Sequence, residues 1–361
     1  MTDTKPPTMA QIAERAGAAL STVSYVLSGK RPVSEETRQR VLAAIEELHY
    51  RPHGPARALA SGASHTVALF LPSPNWDLVP VQQTFVAGAT QATSARGYGL
   101  LLSTAATDPA TIVELIRDHR ADGVILMETL ADDARVDQLR SSGLPFSLIG
   151  RTADTSGLSY VDLDFGAAVR VGLKYLAELG HRCVALFNFP EHQLAAGYTS
   201  ALIAADAFAA GCEEAGIRGI HLPCPHPPHE AHAVAADLLA SEPTCTAAIT
   251  TGGQFSGLLA ALREADLRVP NDFSVLSVIA SQYAEMLTPA LTSVEWPAFD
   301  AGRLAAEMLI ERLRNASAPP QQLLIGGDLT VRESTGPAPR VSSGRRRDRG
   351  SGRGAARAAA R

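Results

Sequence analysis

The chain of 361 residues lacks the features that mark several protein classes. It has no run of about eighteen or more apolar residues, so we expect no transmembrane helix. The opening residues, MTDTKPPT, contain no apolar stretch of the kind found in secretory signals, which predicts a cytoplasmic protein. The four cysteines form no CxxC pair, and in a cytoplasmic chain of this size we expect reduced, structural thiols.

Motifs of common catalytic sites are also missing. The sequence has no P-loop, no GxSxG, no HExxH and no GxGxxG. The glycine pairs at 252–253 and 326–327 are interpreted as turns. Nothing positive supports an enzyme, and we expect no cofactor and no catalytic residue.

Charge is distributed unevenly along the chain. The net charge is −5, but residues 1–65 carry +2, residues 66–336 carry −14 and residues 337–361 carry +7. An acidic body with basic ends repels nucleic acid with its bulk and attracts it at its ends. This distribution favours a protein that binds DNA through a small part of its length.

Residues 9–31, MAQIAERAGAALSTVSYVLSGKR, have the pattern of a helix-turn-helix. Apolar residues at helical spacing predict a first helix that buries Ile12, and Gly17 suits the turn. The second helix buries Val23 and leaves polar or short side chains on its other face. Such a face fits the major groove of DNA, whereas the alternative is an ordinary helical hairpin.

A third helix and a short proline-bounded segment follow. Ser34 is the predicted N-cap of the third helix, whose apolar stripe is expected at Val41, Leu42, Ile45 and Leu48. The segment HYRPHGPARALASG then allows barely more than one helical turn after Pro55. A helix this short needs a surface to fold on.

Residues 8–62 resemble the headpiece and hinge of the LacI/GalR family of bacterial regulators. The resemblance is carried by the pattern AxIAxxAGxxxxTVSxVLSG, by VSEETRQRVLAAIEELHYRP and by ARALASG. It implies a repressor that binds a pseudo-palindromic, double-stranded operator. It also implies that the hinge helix folds on DNA and inserts Leu59 into the minor groove as a wedge.

The resemblance also assigns DNA contacts by motif position. Base contacts fall on Leu20, Ser21 and Tyr25. Backbone contacts, which set register rather than sequence, are expected from Thr22, Ser24, Lys30, Arg31 and Arg57.

Two positions depart from the family pattern. Ala19 stands where Ser usually caps the recognition helix, so the start of this helix is expected to be weaker. Tyr25 stands where Arg is frequent and cannot give the bidentate contact to guanine. We therefore expect an operator that differs from the commonest half-site of the family.

The body alternates short β-rich runs with helical stretches, which predicts an α/β fold with parallel sheets. About eleven predicted strands exceed one comfortable sheet, so two lobes are expected. The resemblance, weaker here, extends to about residue 335 and implies a two-lobed, periplasmic-binding-protein-like effector domain with three crossovers. The predicted domains are 1–51, the hinge 52–64, the body 65–336 and a disordered basic tail 337–361.

The predicted effector pocket lacks several charged groups that are usual in the family. A common Arg aligns on Ala204, an Asp aligns on Ile279, and a further Asp is replaced within 251–253. Three interpretations remain open: a less polar ligand, a sugar held by other groups, or no ligand. The candidate effector-binding residues are Ser73, Asn75, Trp76, Asp77, Arg151, Asp164, Tyr198, Gln282 and Trp296.

The segment HLPCPHPPHEAH places His221, Cys224, His226, His229 and His232 close together. Imidazole and thiolate groups can bind zinc or copper, but the spacing matches no standard zinc pattern. The favoured interpretation is a proline-stiffened surface loop, so no metal site is predicted.

The tail is rich in Gly, Arg, Ala and Ser and contains no leucine, so the leucine heptad that makes tetramers in some relatives is missing. We expect a homodimer, built through the body, and no membrane partner. The basic tail can add non-specific affinity for DNA by counterion release. The alternatives to an effector-controlled repressor are a ligand-insensitive architectural DNA-binding protein and a solute-binding protein. The absent signal and the headpiece argue against the solute-binding protein.

Overall fold

The computed structural model describes residues 7–28, 31–48, 63–71, 80–103, 109–279 and 281–339. These residues form a small helical unit followed by two α/β lobes. The predicted fold class is confirmed. None of the helices in these ranges combines the length and the apolar character needed to cross a bilayer.

The helical unit consists of α1 (Met9–Ala16), α2 (Leu20–Ser28) and α3 (Glu35–Glu47). Thr8 begins α1 with a capping box, in which its hydroxyl accepts from the Gln11 backbone and the Gln11 side chain accepts from the Thr8 backbone. Gly17 ends α1 at φ 57°, a left-handed conformation that costs glycine little. Ser34 caps α3 as predicted.

Six small or branched residues form the core of this unit, namely Ile12, Ala13, Ala16, Val23, Val41 and Ala44. The predicted stripe on α3 was wrong at Leu42, which is 42% exposed. The helix turns Val41 and Ala44 inward, at a spacing of three, and Ile45 and Leu48 pack at the edge of the core. A core this small fixes the angle between α1 and α2 with very few contacts.

The first lobe holds a six-stranded parallel sheet in the order β11-β5-β4-β3-β1-β2. Its strands are β1 (Thr66–Phe70), β2 (Gly99–Ser103), β3 (Gly123–Leu126), β4 (Phe146–Ile149), β5 (Tyr160–Leu163) and β11 (Gln322–Ile325). Its helices are α4 (Pro80–Ala95), α5 (Pro109–Arg117), α6 (Ala134–Ser142) and α13 (Ala298–Arg314). The inner strands β1 and β3 are buried on both faces, as parallel strands between helices require.

The second lobe repeats this plan in the order β12-β10-β9-β8-β6-β7, with β12 antiparallel to β10. Its strands are β6 (Cys183–Asn188), β7 (Arg218–Pro223), β8 (Ala247–Thr250), β9 (Ser274–Val278), β10 (Thr292–Val294) and β12 (Leu329–Thr330). Its helices are α7 (Phe165–Glu178), α8 (Glu191–Ala195), α9 (Thr199–Ala215), α10 (Pro228–Ser241), α11 (Phe255–Glu264) and α12 (Ser281–Glu285).

The chain crosses between the lobes three times. The crossings lie between β5 and α7, between β10 and α13, and between β11 and β12. The strands at these crossings are β5 and β11, which are neighbours at one edge of the first sheet, and β10 and β12, which are neighbours at one edge of the second. The lobes are therefore joined along one side, and their carboxyl-terminal strand ends can face each other.

Several elements were not predicted from the sequence. Helices α5, α8 and α12 and strand β12 were missed, and each is short, the longest having nine residues. Residues 337–339, assigned to the tail, are described and lie against the body. The Ala338 amide donates to the Leu179 carbonyl at the end of α7 over 2.9 Å.

Helices α4 and α13 approach each other at two glycines. A Cβ added at Gly88 would overlap the carbonyl oxygen of Phe299, and one at Gly302 would overlap the carbonyl oxygen of Phe85. Each glycine therefore sits directly on the backbone of the partner helix. This contact lets both helices cover the same face of the first sheet.

We predict that Gly88→Ala and Gly302→Ala each lower the free energy of unfolding by about 2 kcal/mol or more, because the helices must separate and leave poorly filled space. Gly326→Ala is the matched control, since nothing lies within 4 Å of its added Cβ. Urea denaturation followed by circular dichroism measures all three. Equal midpoints for Gly88→Ala and Gly326→Ala would contradict the close contact.

Candidate functional site

The outer face of α2 is available for contact with a partner. Leu20 is 53% exposed although it is a large apolar residue, and Ser21 is exposed beside it. Thr22, Ser24 and Tyr25 are half-buried on the same short helix, whose inner residue Val23 is fully buried. Leu20 is not part of the core of the helical unit, so this face suits contact with an external surface.

Tyr25 has a charged neighbour. The guanidinium carbon of Arg31 lies 5.3 Å from the centre of the Tyr25 ring, which is a cation–π distance. The contact holds an exposed cation next to the face of α2, where a phosphate can reach it. Lys30, Arg57 and Leu59 lie outside the described residues.

The start of α2 agrees with the expected weak cap. The Ala19 carbonyl accepts from the Thr22 and Val23 amides at 2.9 and 3.1 Å, and its methyl side chain can accept nothing. One of the free amides at this end therefore remains available to water or to a ligand anion.

A cavity of about 570 Å³ lies between the two lobes. The first lobe supplies the ends of β3 and β4, together with α4, and the second lobe supplies the ends of β8 and β9. Ligands of open α/β sheets bind at such carboxyl-terminal strand ends. The topology, rather than any single motif, therefore locates the site.

Glu128 follows β3 and enters the cavity with a strained backbone. Its φ is 52°, in the left-handed region that residues with a Cβ rarely adopt. The carboxylate accepts from the Gln82 amide at 2.8 Å, and Arg135 donates to the Glu128 carbonyl at 2.9 Å. Burial raises the pKa of Glu128, and the Gln82 hydrogen bond and the charge of Arg135 only partly oppose this effect.

Asp162, the second acid of the cavity, is 5% exposed. Burial raises the pKa of Asp162 to about 7, despite the attraction of Arg151. The Arg151 Nε lies 3.5 Å from Asp162 Oδ2, too far for a strong hydrogen bond, so burial outweighs the ion pair. Asp162 therefore changes charge near neutral pH.

Aromatic rings form much of the remaining wall. Trp296 packs edge-on against Phe85 of the first lobe at 5.6 Å and against Phe165 of the second lobe at 5.1 Å, between ring centres. Phe189 packs edge-on against Tyr198 at 5.0 Å. These contacts fix the rings in place before any ligand arrives.

Backbone hydrogen bonds also join the lobes beside the cavity. The Ala131 amide donates to Gly197 O at 2.8 Å, and the Thr199 amide donates to Thr129 O at 3.2 Å. Together they make a bridge between Leu130 and Tyr198. We call residues 129–131 and 197–199 the interlobe bridge.

The predicted effector residues divide into three groups. Tyr198 and Trp296 line the cavity. Arg151, Asp164 and Gln282 are not among the residues that line the cavity. Arg151 pairs with Asp162, Asp164 caps α7 by accepting from the Ala167 amide, and Gln282 donates to Thr84. The other candidates, Ser73, Asn75, Trp76 and Asp77, lie outside the described residues.

Alignment by motif was misleading at one pocket position and useful at another. Ala204 is fully buried in the core of the second lobe and does not line the cavity, whereas Ile279 does. Sequence reasoning missed Glu128, Asp162, Gln82, Gln193 and His226. Glu128 carried a usable signal, because it directly follows the buried run GVILM at the end of a predicted strand.

The side chains of the His/Cys segment point to different neighbours. His221 contacts Asn188, Cys224 is buried, His226 lines the cavity and His232 contacts Glu264. Within the described ranges, no three His, Cys, Asp or Glu side chains are placed to hold one metal ion.

We predict that Asp162→Asn stabilises the protein more at pH 8.5 than at pH 5. The pKa of about 7 in the folded state exceeds the unfolded value near 3.9, so folding favours the protonated acid. As pH rises above about 3.9, Asp162 ionises in the unfolded state but stays protonated in the folded state, so the free energy of unfolding falls. This loss is complete above pH 7, where Asp162 is ionised in both states. Thermal unfolding at both pH values, with the exposed Asp206→Asn as control, measures this. A pH-independent gain would contradict the raised pKa.

Two parts of the chain match known protein families. Residues 8–53 match the family described as bacterial regulatory proteins, lacI family, and residues 173–335 match the periplasmic binding protein-like domain. The chain is 30% identical over 349 residues to the HTH-type transcriptional regulator CelR of Thermobifida fusca, covering 91% of this chain and 98% of the relative.

Two solved structures resemble more than nine-tenths of the chain. The transcriptional regulator CelR–cellobiose complex has a TM-score of 0.67 at 28% identity and covers 91% of this chain and 99% of its own. The lac repressor dimer bound to operator and the anti-inducer ONPF has a TM-score of 0.77 at 23% identity and covers 92% and 100%, which shows a shared fold. With a helix-turn-helix unit at its start and a cleft between two lobes, this chain belongs to the LacI family of bacterial transcriptional regulators, which are not enzymes.

Proposed function

We propose that this regulator represses transcription by binding a pseudo-palindromic operator as a homodimer in the cytoplasm. The observation that carries the proposal is the exposed face of α2, with Leu20 and Ser21 outward on a folded three-helix unit. Leu20, Ser21 and Tyr25 read bases in the major groove. Thr22, Ser24, Lys30, Arg31 and Arg57 contact phosphates and set the register.

The cleft between the lobes is the effector site in this proposal. Its position at the strand ends supports this assignment, and a relative, CelR, is solved as a cellobiose complex. A small molecule that binds one arrangement of the lobes better than another shifts the population toward that arrangement. The hinge segments then move together or apart, and operator affinity changes.

Affinity selection of fragmented source-genome DNA by the purified protein tests the specific-regulator proposal. We expect a small set of fragments that share one palindrome, because two headpieces related by a twofold axis read two half-sites. Electrophoretic mobility at rising salt then measures the number of phosphate contacts. Recovery of fragments without a shared motif would instead support a non-specific, architectural role.

Leu59 is the expected minor-groove wedge, and its replacement isolates the hinge. We expect Leu59→Ala to lower operator affinity by about tenfold or more, because the energy of kinking DNA is no longer recovered through contacts. The matched control is Leu102→Ala, which removes a leucine that is 42% exposed on β2 of the body. Unchanged specific binding by Leu59→Ala, with unchanged circular dichroism, would refute the wedge.

A further inference from the structure

The cavity is unusually rich in aromatic side chains. Phe, Tyr and Trp make up only 5% of the sequence, yet six of them line this one space. They are Phe85, Phe189, Tyr198, Phe255, Tyr283 and Trp296. The faces of aromatic rings carry negative partial charge and attract cations, most strongly when water is excluded.

The described part of this wall contains two acids and no strong base. Glu128 and Asp162 line the cavity, and none of its described lining residues is Lys or Arg. Among the described lining residues the one imidazole is His226, whose pKa is lowered by burial and, to a smaller degree, by His192, which disfavours its charged form. The cavity is therefore electrically negative wherever its acids are ionised.

The two nearest arginines do not balance these acids. Arg135 donates from Nε and Nη2 to Asp133, at 2.9 and 2.7 Å, and from Nη2 to the Glu128 carbonyl oxygen. Arg151 remains 3.5 Å from Asp162 and leaves the pKa of that acid raised. Counting Asp133 with the two cavity acids, three carboxylates share two guanidinium groups.

A further acceptor in the lining lacks a donor. Among the described residues, Gln193 Oε1 is a buried side-chain oxygen without a hydrogen-bond partner, and Gln193 lines the cavity. An acceptor without a donor costs free energy until something donates to it. The polar groups of the cavity thus need a ligand that donates hydrogen bonds and carries positive charge.

We propose that the cleft binds an organic cation, a molecule with a protonated or quaternary amine that Glu128 and Asp162 neutralise and the aromatic rings enclose. This deepens the proposed function and rests on the cleft being the effector site. A neutral sugar can donate hydrogen bonds to both acids, but it leaves their charges unbalanced. A cation satisfies the acids and the rings together.

Two matched pairs of probes test the charge requirement. Choline is compared with 3,3-dimethylbutan-1-ol, which has the same shape without the charge, and glucosamine is compared with glucose. Isothermal titration of the full chain at pH 8 is expected to show that the cationic member of each pair binds about tenfold tighter or more. The sugar pair separates an amine requirement from simple recognition of hydroxyl groups.

Substitution of Glu128 or Asp162 is expected to remove the preference for the cationic member of each pair. In Glu128→Gln and Asp162→Asn, the cationic and neutral members of each pair should bind alike, whereas the exposed Asp206→Asn should keep the preference. Thermal unfolding of each variant confirms that it is folded. Retained preference in both acid variants would overturn the assignment of the counter-ions.

The dependence on pH gives a second, independent readout. Choline keeps its charge at all pH values, so its affinity is expected to rise between pH 6 and 8 as Asp162 ionises near pH 7. The charged groups that act on Asp162 are Arg151, which favours ionisation, and Asp164, which opposes it. Affinity that is flat over this range would contradict the role of Asp162.

The outcomes also separate this inference from the proposed function. Tighter binding of glucose than of glucosamine, or no binding of either cation at about 10 mM, would overturn the cation proposal. If the same preparation still selects one palindrome from DNA, the operator-binding function stands. If DNA selection fails while choline binds as expected, the operator proposal fails and the cation site remains.

Discussion

The packing of Trp296 between Phe85 and Phe165 is the contact on which the two-lobed arrangement depends. Trp296 lies on the second crossing and touches the cores of both lobes. A large ring held on two sides fixes the distance between the sheets at this point. The cavity adjoins this contact, because Phe85 and Trp296 both line it together with Glu128 and Asp162.

The cleft illustrates how burial can outweigh pairing. The Arg151 Nε lies 3.5 Å from Asp162, yet the pKa of Asp162 is raised. The free energy of removing the carboxylate from water is larger than the attraction of an ion pair at this distance. In contrast, Asp133 receives two short hydrogen bonds from Arg135, and these outweigh burial and lower its pKa. Two acids of similar burial therefore have pKa values shifted in opposite directions, because only Asp133 accepts short hydrogen bonds from its arginine.

The sequence predicted what depends on periodicity and on local capping. Gly17, Ser34 and the inward face of α1 follow from backbone conformation and helical spacing, and the structure agrees. The inner strands of both sheets were found because buried parallel strands form continuous apolar runs, whereas the two-residue antiparallel strand β12 was missed. Helices α8 and α12 were missed because they have five residues each, and helices this short take their stability from the packing around them. Helix α5 was missed although its buried Ile112, Val113 and Ile116 stand at helical spacing.

The cavity was harder to predict, since its lining combines residues from distant parts of the chain. Tyr198 and Trp296 were assigned to the pocket by their positions in the family resemblance. Glu128 and Asp162 belong to strand ends that only the fold brings together. Ala204 was misplaced because motif positions shift where loop lengths differ, and its burial in the core of the second lobe puts it on the face of α9 away from the cavity.

The position of the interlobe bridge has a mechanical consequence. The bridge follows β3 and β6, whereas the three crossings leave from β5/β11 and β10/β12. At about 4.8 Å per strand, this offset is roughly 10 Å in one sheet and roughly 14 Å in the other. Because the bridge lies that far from the crossings, rotation of one lobe about the crossings strains both hydrogen bonds of the interlobe bridge at once. Opening of the cleft by such a rotation therefore requires both bonds to break, which opposes the motion.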